Sequence, residues 1–213
     1  MNKRLTEIFS VLPDCDTFAD VGCDHGYMTL AMLKAGKCKR AIISDISEKC
    51  LQKARELLSG YILDGRVDSV VCDGLEKVGK CDLALIAGMG GEEIISIVKN
   101  APHLPENLVL QPMKNVDKVR VACVEAGYRI EKDYVFFASG IYYNLILLQK
   151  GEDKLSQEEI EFGRTNLLEK GGDFKAMLYQ EIEKYKVFLN NDSLPKESRA
   201  EMQARIEKLE RYV

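Results

Sequence analysis

Along the first 150 residues the apolar positions repeat one order: a short continuous apolar run, a break bearing glycine or aspartate, then an apolar stripe at helical spacing. Leu5, Ile8, Phe9 and Leu12 predict a leading helix over residues 3–11, stopped by Pro13-Asp14. Unbroken apolar runs predict strands at 17–21, 39–45, 66–72, 82–87 and 107–111. Helices are predicted between them. The first runs from a glycine turn to about Ala35, with Gly36 as its C-terminal cap. The second starts at Ser47 with the stripe Cys50, Leu51, Ala54, Leu57 and Leu58, and a loop bracketed by Gly60 and Gly65 follows. A third follows residues 88–91 with Ile94, Ile95, Ile97 and Val98, and a fourth spans 115–126. Two longer β-runs, 129–137 and 141–149, are joined by Ser139-Gly140, a hairpin turn.

This order predicts an α/β fold: a mostly parallel sheet with helices on both faces and antiparallel strands added at one side. After Lys150 the pattern changes. Ser156 and Glu159 form a capping box, and Gly171-Gly172 interrupts the pattern. Phe174, Leu178, Ile182, Tyr185 and Leu189, then Met202, Ile206, Leu209 and Val213, predict two antiparallel helices, a hairpin or short coiled coil. Their turn is placed at Asn190-Asn191-Asp192-Ser193, with Pro195 in the next first turn. The expected division is therefore residues 1–150 and a helical appendage, 151–213.

At 213 residues, 46% hydrophobic and 30% charged, the chain can bury a core without metal or disulfide staples. No apolar run approaches membrane-spanning length, and the N-terminal Lys3-Arg4 segment lacks the apolar centre of a signal peptide. Seven cysteines with no CxxC pair argue against a disulfide framework or zinc site and fit a reducing, cytoplasmic setting. A net charge of −4 gives no global nucleic-acid footprint. Cations do cluster locally, at Lys34, Lys37, Lys39 and Arg40, at Lys49, Lys53 and Arg55, and at Lys114, Lys118 and Arg120. These are solvated helix faces or a phosphate-binding face.

The chemistry concentrates at the strand ends, where ligands of open α/β sheets sit. The first strand ends in Asp20-Val21-Gly22-Cys23-Asp24-His25-Gly26-Tyr27, the second in Asp45, the third in Asp73-Gly74, the fourth in Gly88-Met89-Gly90-Gly91 and the fifth in Gln111-Pro112. The first turn departs from the dinucleotide fingerprint because Asp24 stands where a pyrophosphate needs a glycine. NAD and FAD fit poorly, whereas a zwitterionic amino-acid ligand tolerates the carboxylate. Asp45 is placed to accept hydrogen bonds from ribose hydroxyls, or to cap the helix beginning at Ser47. Asp73-Gly74 either holds an adenine edge or simply turns the chain.

These residues resemble the S-adenosylmethionine pocket of the Rossmann-like class I methyltransferases. More specifically, Ala19 to Tyr27, Ile86-Ala87-Gly88-Met89-Gly90-Gly91 and Leu110-Gln111-Pro112 resemble the TrmK family, the bacterial tRNA (adenine-22-N1)-methyltransferases. The resemblance implies S-adenosylmethionine as cofactor and tRNA as partner, with no metal and no membrane. It implies Asp20, Gly22 and Gly26 near the methionine part, Asp45 with Ile46 at the ribose, and Asp73 with Gly74 at the adenine. Gly88 and Met89 complete the cofactor side. Asp24 and His25 would be the catalytic pair at the mouth, and Tyr27, Gly90, Gly91, Gln111, Pro112 and Asn115 would face the target base. The chain departs from the family after Gln-Pro, where Met113-Lys114 precedes Asn115. A methyltransferase for a small molecule or protein, and a binding protein without catalysis, remain as alternative readings.

Overall fold

The computed structural model describes residues 2–191 and 193–213; Asp192, placed above in the tail's turn, lies outside them. In chain order the elements are α1 (Lys3–Val11), β1 (Cys15–Val21), α2 (Tyr27–Lys34), β2 (Cys38–Asp45), α3 (Glu48–Leu57), α4 (Ser59–Leu63) and β3 (Val67–Val71). There follow β4 (Leu83–Met89), α5 (Gly91–Asn100), β5 (Asn107–Pro112), α6 (Val116–Glu125), β6 (Tyr128–Ala138) and β7 (Ile141–Lys150). The tail holds α7 (Gln157–Phe162), α8 (Arg164–Glu169), α9 (Gly172–Leu189) and α10 (Lys196–Glu210).

The seven strands form one sheet in the order β3-β2-β1-β4-β5-β7-β6. β1 to β5 run parallel, and β7 is antiparallel to both β5 and β6. Alternate side chains feed two cores. Phe18, Ile43, Leu83, Leu85 and Val109 pack with α1, α2 and α3 on one face. Ala19, Ala84, Ile86, Leu108 and Leu110 pack with α5 and α6 on the other. Burial on both faces is why these strands read as continuous apolar runs. Strand order reverses direction at β1/β4, so the crevice beyond their carboxyl ends is where this topology holds a ligand.

Local signals explain the boundaries. Ser47 accepts from the Cys50 N–H as the N-cap of α3. Ser139 and Gly140 both take positive φ, which gives the β6–β7 turn the twist that a two-residue hairpin needs. Four expectations need correction. Residues 59–63 form α4 and are not loop, because Gly60 sits inside a turn whose amides bond back to Leu58. β4 runs two residues further, to Met89, through an irregularity at Gly88 that keeps it paired with Pro112. Leu57 faces solvent, since the buried stripe of α3 is Leu51 and Ala54, continued by Leu58. Pro195 is the N-cap of α10 and precedes its first turn.

The tail folds back onto the sheet. α9 and α10 bury Phe174, Leu178, Ile182, Ile206 and Leu209 together, with Phe162 of α7. The outer edge of β6 is closed by side chains from the tail. The backbone N–H groups of Ile130, Asp133, Val135 and Phe137 donate to Asp153, Thr165, Asn166 and Asp173 in turn, at 3.0, 2.9, 2.9 and 2.8 Å. An exposed row of such donors would pair with another chain, and here each has an intramolecular acceptor. Among the described residues no helix is long and apolar enough to cross a membrane.

Candidate active site

Beyond the carboxyl ends of β1, β2, β3 and β4 lies a cavity of about 760 Å³, of the size that small-molecule sites use. Asp20, Gly22, Asp24, His25, Tyr27, Asp45, Ile46, Asp73, Gly74, Gly88 and Met89 all line it. Residues spread over some seventy positions thus meet because parallel strands deliver their ends to one side.

Three amides of the glycine turn are already committed within the protein. The N–H groups of Gly22 and Cys23 bond to the Ser44 carbonyl at 2.8 and 3.1 Å, and that of Gly26 bonds to Cys23 at 2.8 Å. Gly22 has φ 67°, and a Cβ there would stand 2.1 Å from the terminal methyl of Met89. The Met89 methyl is the far end of a flexible side chain, so it is the positive φ of Gly22 that calls for glycine at the cavity floor. Asp24 also lies in the left-handed region, at φ 46°, where a residue with a side chain is strained. Its carboxylate lies 3.6 Å from His25 Nε2, and both side chains reach solvent. The His25 ring stacks on Tyr27 with centroids 5.4 Å apart and planes 26° apart. Ile46, beside them on the cavity wall, is also exposed.

At the second strand end, Asp45 Oδ1 accepts the Ser47 N–H at 2.8 Å, which orients the carboxylate at the cavity wall. Asp73 and Gly74 close the wall beyond β3, next to Ser96 and Ile97 of α5. A Cβ on Gly74 would strike Ile97 at 2.6 Å, so the close approach of this turn to α5 requires glycine. Separate carboxylates for hydroxyl and amine groups, in a cavity of this volume, suit a nucleoside bearing an amino acid.

Six of the expected residues do not line the cavity. Gly26 caps α2 and packs against α3, where a Cβ would lie 3.1 Å from that of Ala54. Gly90 and Gly91 begin α5 beneath Lys114, whose carbonyl oxygen would be 2.4 Å from a Cβ on Gly91. Gln111 and Pro112 are buried at the end of β5. Asn115, at φ 53°, starts α6 and donates to Glu92 at 3.3 Å. Conversely, Asn2, Arg4, Leu5 and Ile8 of the N-terminal segment, and Glu93 and Ser96 of α5, line the cavity without having been expected there. Arg4 reaches Gln111 across 107 residues, a pairing with no local sequence signal.

Asp20 is buried, and one oxygen, Oδ2, accepts both the Thr29 N–H at 3.2 Å and the Thr29 hydroxyl at 2.7 Å. Oδ1 is left to the cavity. Burial pushes its pKa up to about 6, against the two Thr29 hydrogen bonds that lower it. Between its unfolded and folded pKa values the native state holds more protons, so stability falls as pH rises from about 4 to 6 and is level above that. Asp20→Asn abolishes this dependence. Relative to wild type at pH 4, the variant should gain up to about 3 kcal/mol by pH 7.5. Urea midpoints across this range test it; a gap between the two proteins that does not change with pH would refute it.

The comparisons with known proteins agree with this geometry. A family model described as a methyltransferase domain matches residues 1–146. A candidate tRNA methyltransferase of Mycoplasma pneumoniae is 26% identical over 172 residues, covering 76% of this chain and 79% of that one. TrmK of M. capricolum, solved with S-adenosyl-homocysteine, superposes with a TM-score of 0.86 at 27% identity over 100% of this chain and 97% of that one. Sp1610 of Streptococcus pneumoniae, a candidate tRNA (m1A22) methyltransferase solved with S-adenosyl-L-methionine, gives 0.87 at 25% identity, over 100% and 99%. Given a match through residues 1–146 and a sheet whose strand ends build the cavity, this chain belongs to the methyltransferase domain family.

Proposed function

We propose that this protein methylates N1 of an adenine in tRNA, using S-adenosylmethionine, and that the adenine is the one at position 22. The observation that carries the reading is the single cavity at the β1/β4 crossover. It joins Asp20, Asp45 and Asp73 to the exposed group of Asp24, His25 and Tyr27. The likeness to TrmK with its bound S-adenosyl-homocysteine, and to Sp1610, supports the cofactor and the base position. Residues 1–150 carry the chemistry, and residues 151–213 form the helical appendage. Seven free thiols suit work in the reducing cytoplasm.

When bound, S-adenosylmethionine supplies an electrophilic methyl carbon. Adenine N1 brings its own lone pair, so no residue must deprotonate it before attack. N1 is shared with Watson–Crick pairing, and the base has to leave its pair to enter the site. The stacked His25 and Tyr27 rings present a platform at the mouth on which an unpaired base can lie. Alignment of this kind contributes roughly 7–11 kcal/mol in well-oriented reactions. Methylation places positive charge on the ring. Asp24, solvent-facing beside that platform, offsets this charge and accepts a proton from the exocyclic amine.

Incubating the protein with S-adenosylmethionine and unmodified tRNA, then mapping 1-methyladenosine by mass spectrometry, tests the reading. One modified adenine per tRNA is expected. Methylation of a protein or small molecule with tRNA untouched would overturn it.

A further inference from the structure

Asp20 stands near the end of β1 with Ile43 of β2 and Leu85 of β4 as register partners, so both flanks are apolar. It is the one buried carboxylate of the cavity wall. Among the described residues it forms no ion pair. Thr29 of α2 is fully buried, lies outside the cavity lining, and turns both of its donors onto Asp20 Oδ2. One of these bonds belongs to the helix. α2 starts at Gly26, which has no side chain to bond the first amides, and Asp20 provides an acceptor from the neighbouring strand. The positive end of the helix favours a carboxylate there. The hydroxyl bond is not needed for that cap. It is the shorter of the two, and it fixes the rotation of the carboxyl group so that Oδ1 is left to the cavity. Burial favours the neutral acid, and both Thr29 bonds oppose it. The ionisable groups around Asp20 are Cys23, Asp24, His25 and Tyr27 of the turn and α2, Asp45 of β2 and Arg4 of α1, with Asp73 and Glu93 across the cavity.

We propose that Thr29 is a positioning residue: it holds Oδ2 with both of its donors and so presents Oδ1, as a carboxylate oxygen, to the ammonium group of the cofactor's amino-acid end. The inference rests on the S-adenosylmethionine reading above. A buried carboxylate with no cation beside it suits a ligand that brings the cation. Oδ2 is filled by two donors, so a proton taken up by Asp20 sits on Oδ1. Proton and ammonium therefore compete for one oxygen. The Thr29 hydroxyl biases that competition, because its bond to Oδ2 is stronger when the carboxyl group is ionised. Thr29 acts on the ligand only through Asp20. A threonine that merely capped α2 would be indifferent to the charge on Oδ1, and its loss would weaken every ligand of the cavity alike.

The test compares S-adenosylhomocysteine with 5′-methylthioadenosine, which keeps the nucleoside and lacks the amino-acid end, by titration calorimetry across pH. In wild-type protein the affinity ratio of the two should rise as pH passes about 6. Thr29→Val should displace that rise upward by about one to two pH units, the worth of a hydrogen bond to a charged group. At a pH half a unit above the wild-type midpoint, the ratio then falls roughly 3- to 20-fold. Thr29→Ala removes the hydroxyl without setting a methyl against the carboxylate, and should give the same displacement if the valine variant folds poorly. Thr29→Ser keeps both donors and should restore the wild-type profile. The affinity for 5′-methylthioadenosine should stay within about twofold throughout, a difference of under 1 kcal/mol. The ligand's own amine titrates alike for every variant, so a displaced profile reports Asp20. Equal losses for both compounds, with the profile in place, would make Thr29 a cap alone and overturn the proposal. A wild-type profile in both Thr29→Val and Thr29→Ala overturns it too. A ratio flat with pH in wild-type protein refutes this inference alone; protein that binds neither compound refutes the cofactor reading beneath it as well.

Discussion

Arg120→Met should lower the free energy of unfolding by about 3–5 kcal/mol. Arg120 and Asp133 are 1% and 0% exposed, and the guanidinium meets the carboxylate through two bonds of 2.5 and 2.9 Å. The same guanidinium donates to the carbonyls of Ile160 and Glu161 at 2.9 and 3.2 Å, so it also terminates α7. Methionine fills much of the arginine's volume but leaves Asp133 as a buried charge without a partner, together with two carbonyls that lose their donor. Removing both charges is the informative control. Asp133→Leu combined with Arg120→Met should recover most of the loss, because the desolvation penalty disappears with the pair. Urea unfolding of wild type and the two variants measures this. A single variant within about 1 kcal/mol of wild type would mean that water reaches the pair.

That pair also shows what the tail does for the sheet. Asp133 lies on the edge strand β6, and Gly163, at φ 85°, passes so close that a Cβ would stand 2.8 Å from its carboxyl carbon. With Asp153, Thr165, Asn166 and Asp173 capping alternate amides of β6, the chain after Lys150 seals an edge that would otherwise be open. None of this was legible in the sequence. The four acceptors are ordinary polar residues in segments that read as loop or helix start, and their partners are 23 to 36 positions away. The parallel strands, by contrast, were legible because burial on both faces writes itself as continuous apolar runs. The cavity's acidic strand ends were legible because topology, not local sequence, brings strand ends together, and topology followed from the alternation of strand and helix. The glycines divided. Gly22, Gly74 and Gly88 sit at the cavity, whereas Gly26, Gly90 and Gly91 clear space for neighbouring helices and loops. A sequence shows that a Cβ is absent; it does not show whether a ligand or a helix fills the space.

Asp24 should be the residue at which stability and activity part. Its backbone, at φ 46°, is in the region that only glycine occupies freely, so Asp24→Gly should raise stability by about 1 kcal/mol. The same substitution removes the carboxylate beside His25 and Tyr27 that we assign to the developing positive charge, and should lower kcat by roughly 10²–10⁴-fold. Asp24→Asn keeps the size, the local hydrogen-bonding capacity and the strain, and should lose rate without gaining stability. Cofactor affinity separates this role from a structural one. Asp24 is 62% exposed at the mouth, so S-adenosylhomocysteine should bind both variants within about threefold of wild type, a difference of under 1 kcal/mol. Equal losses in cofactor binding and in kcat/KM would make Asp24 part of the cofactor floor and return the catalytic role to His25. A variant that gains stability, keeps its cofactor and loses methyl transfer would show that the strained backbone is retained for the carboxylate it presents.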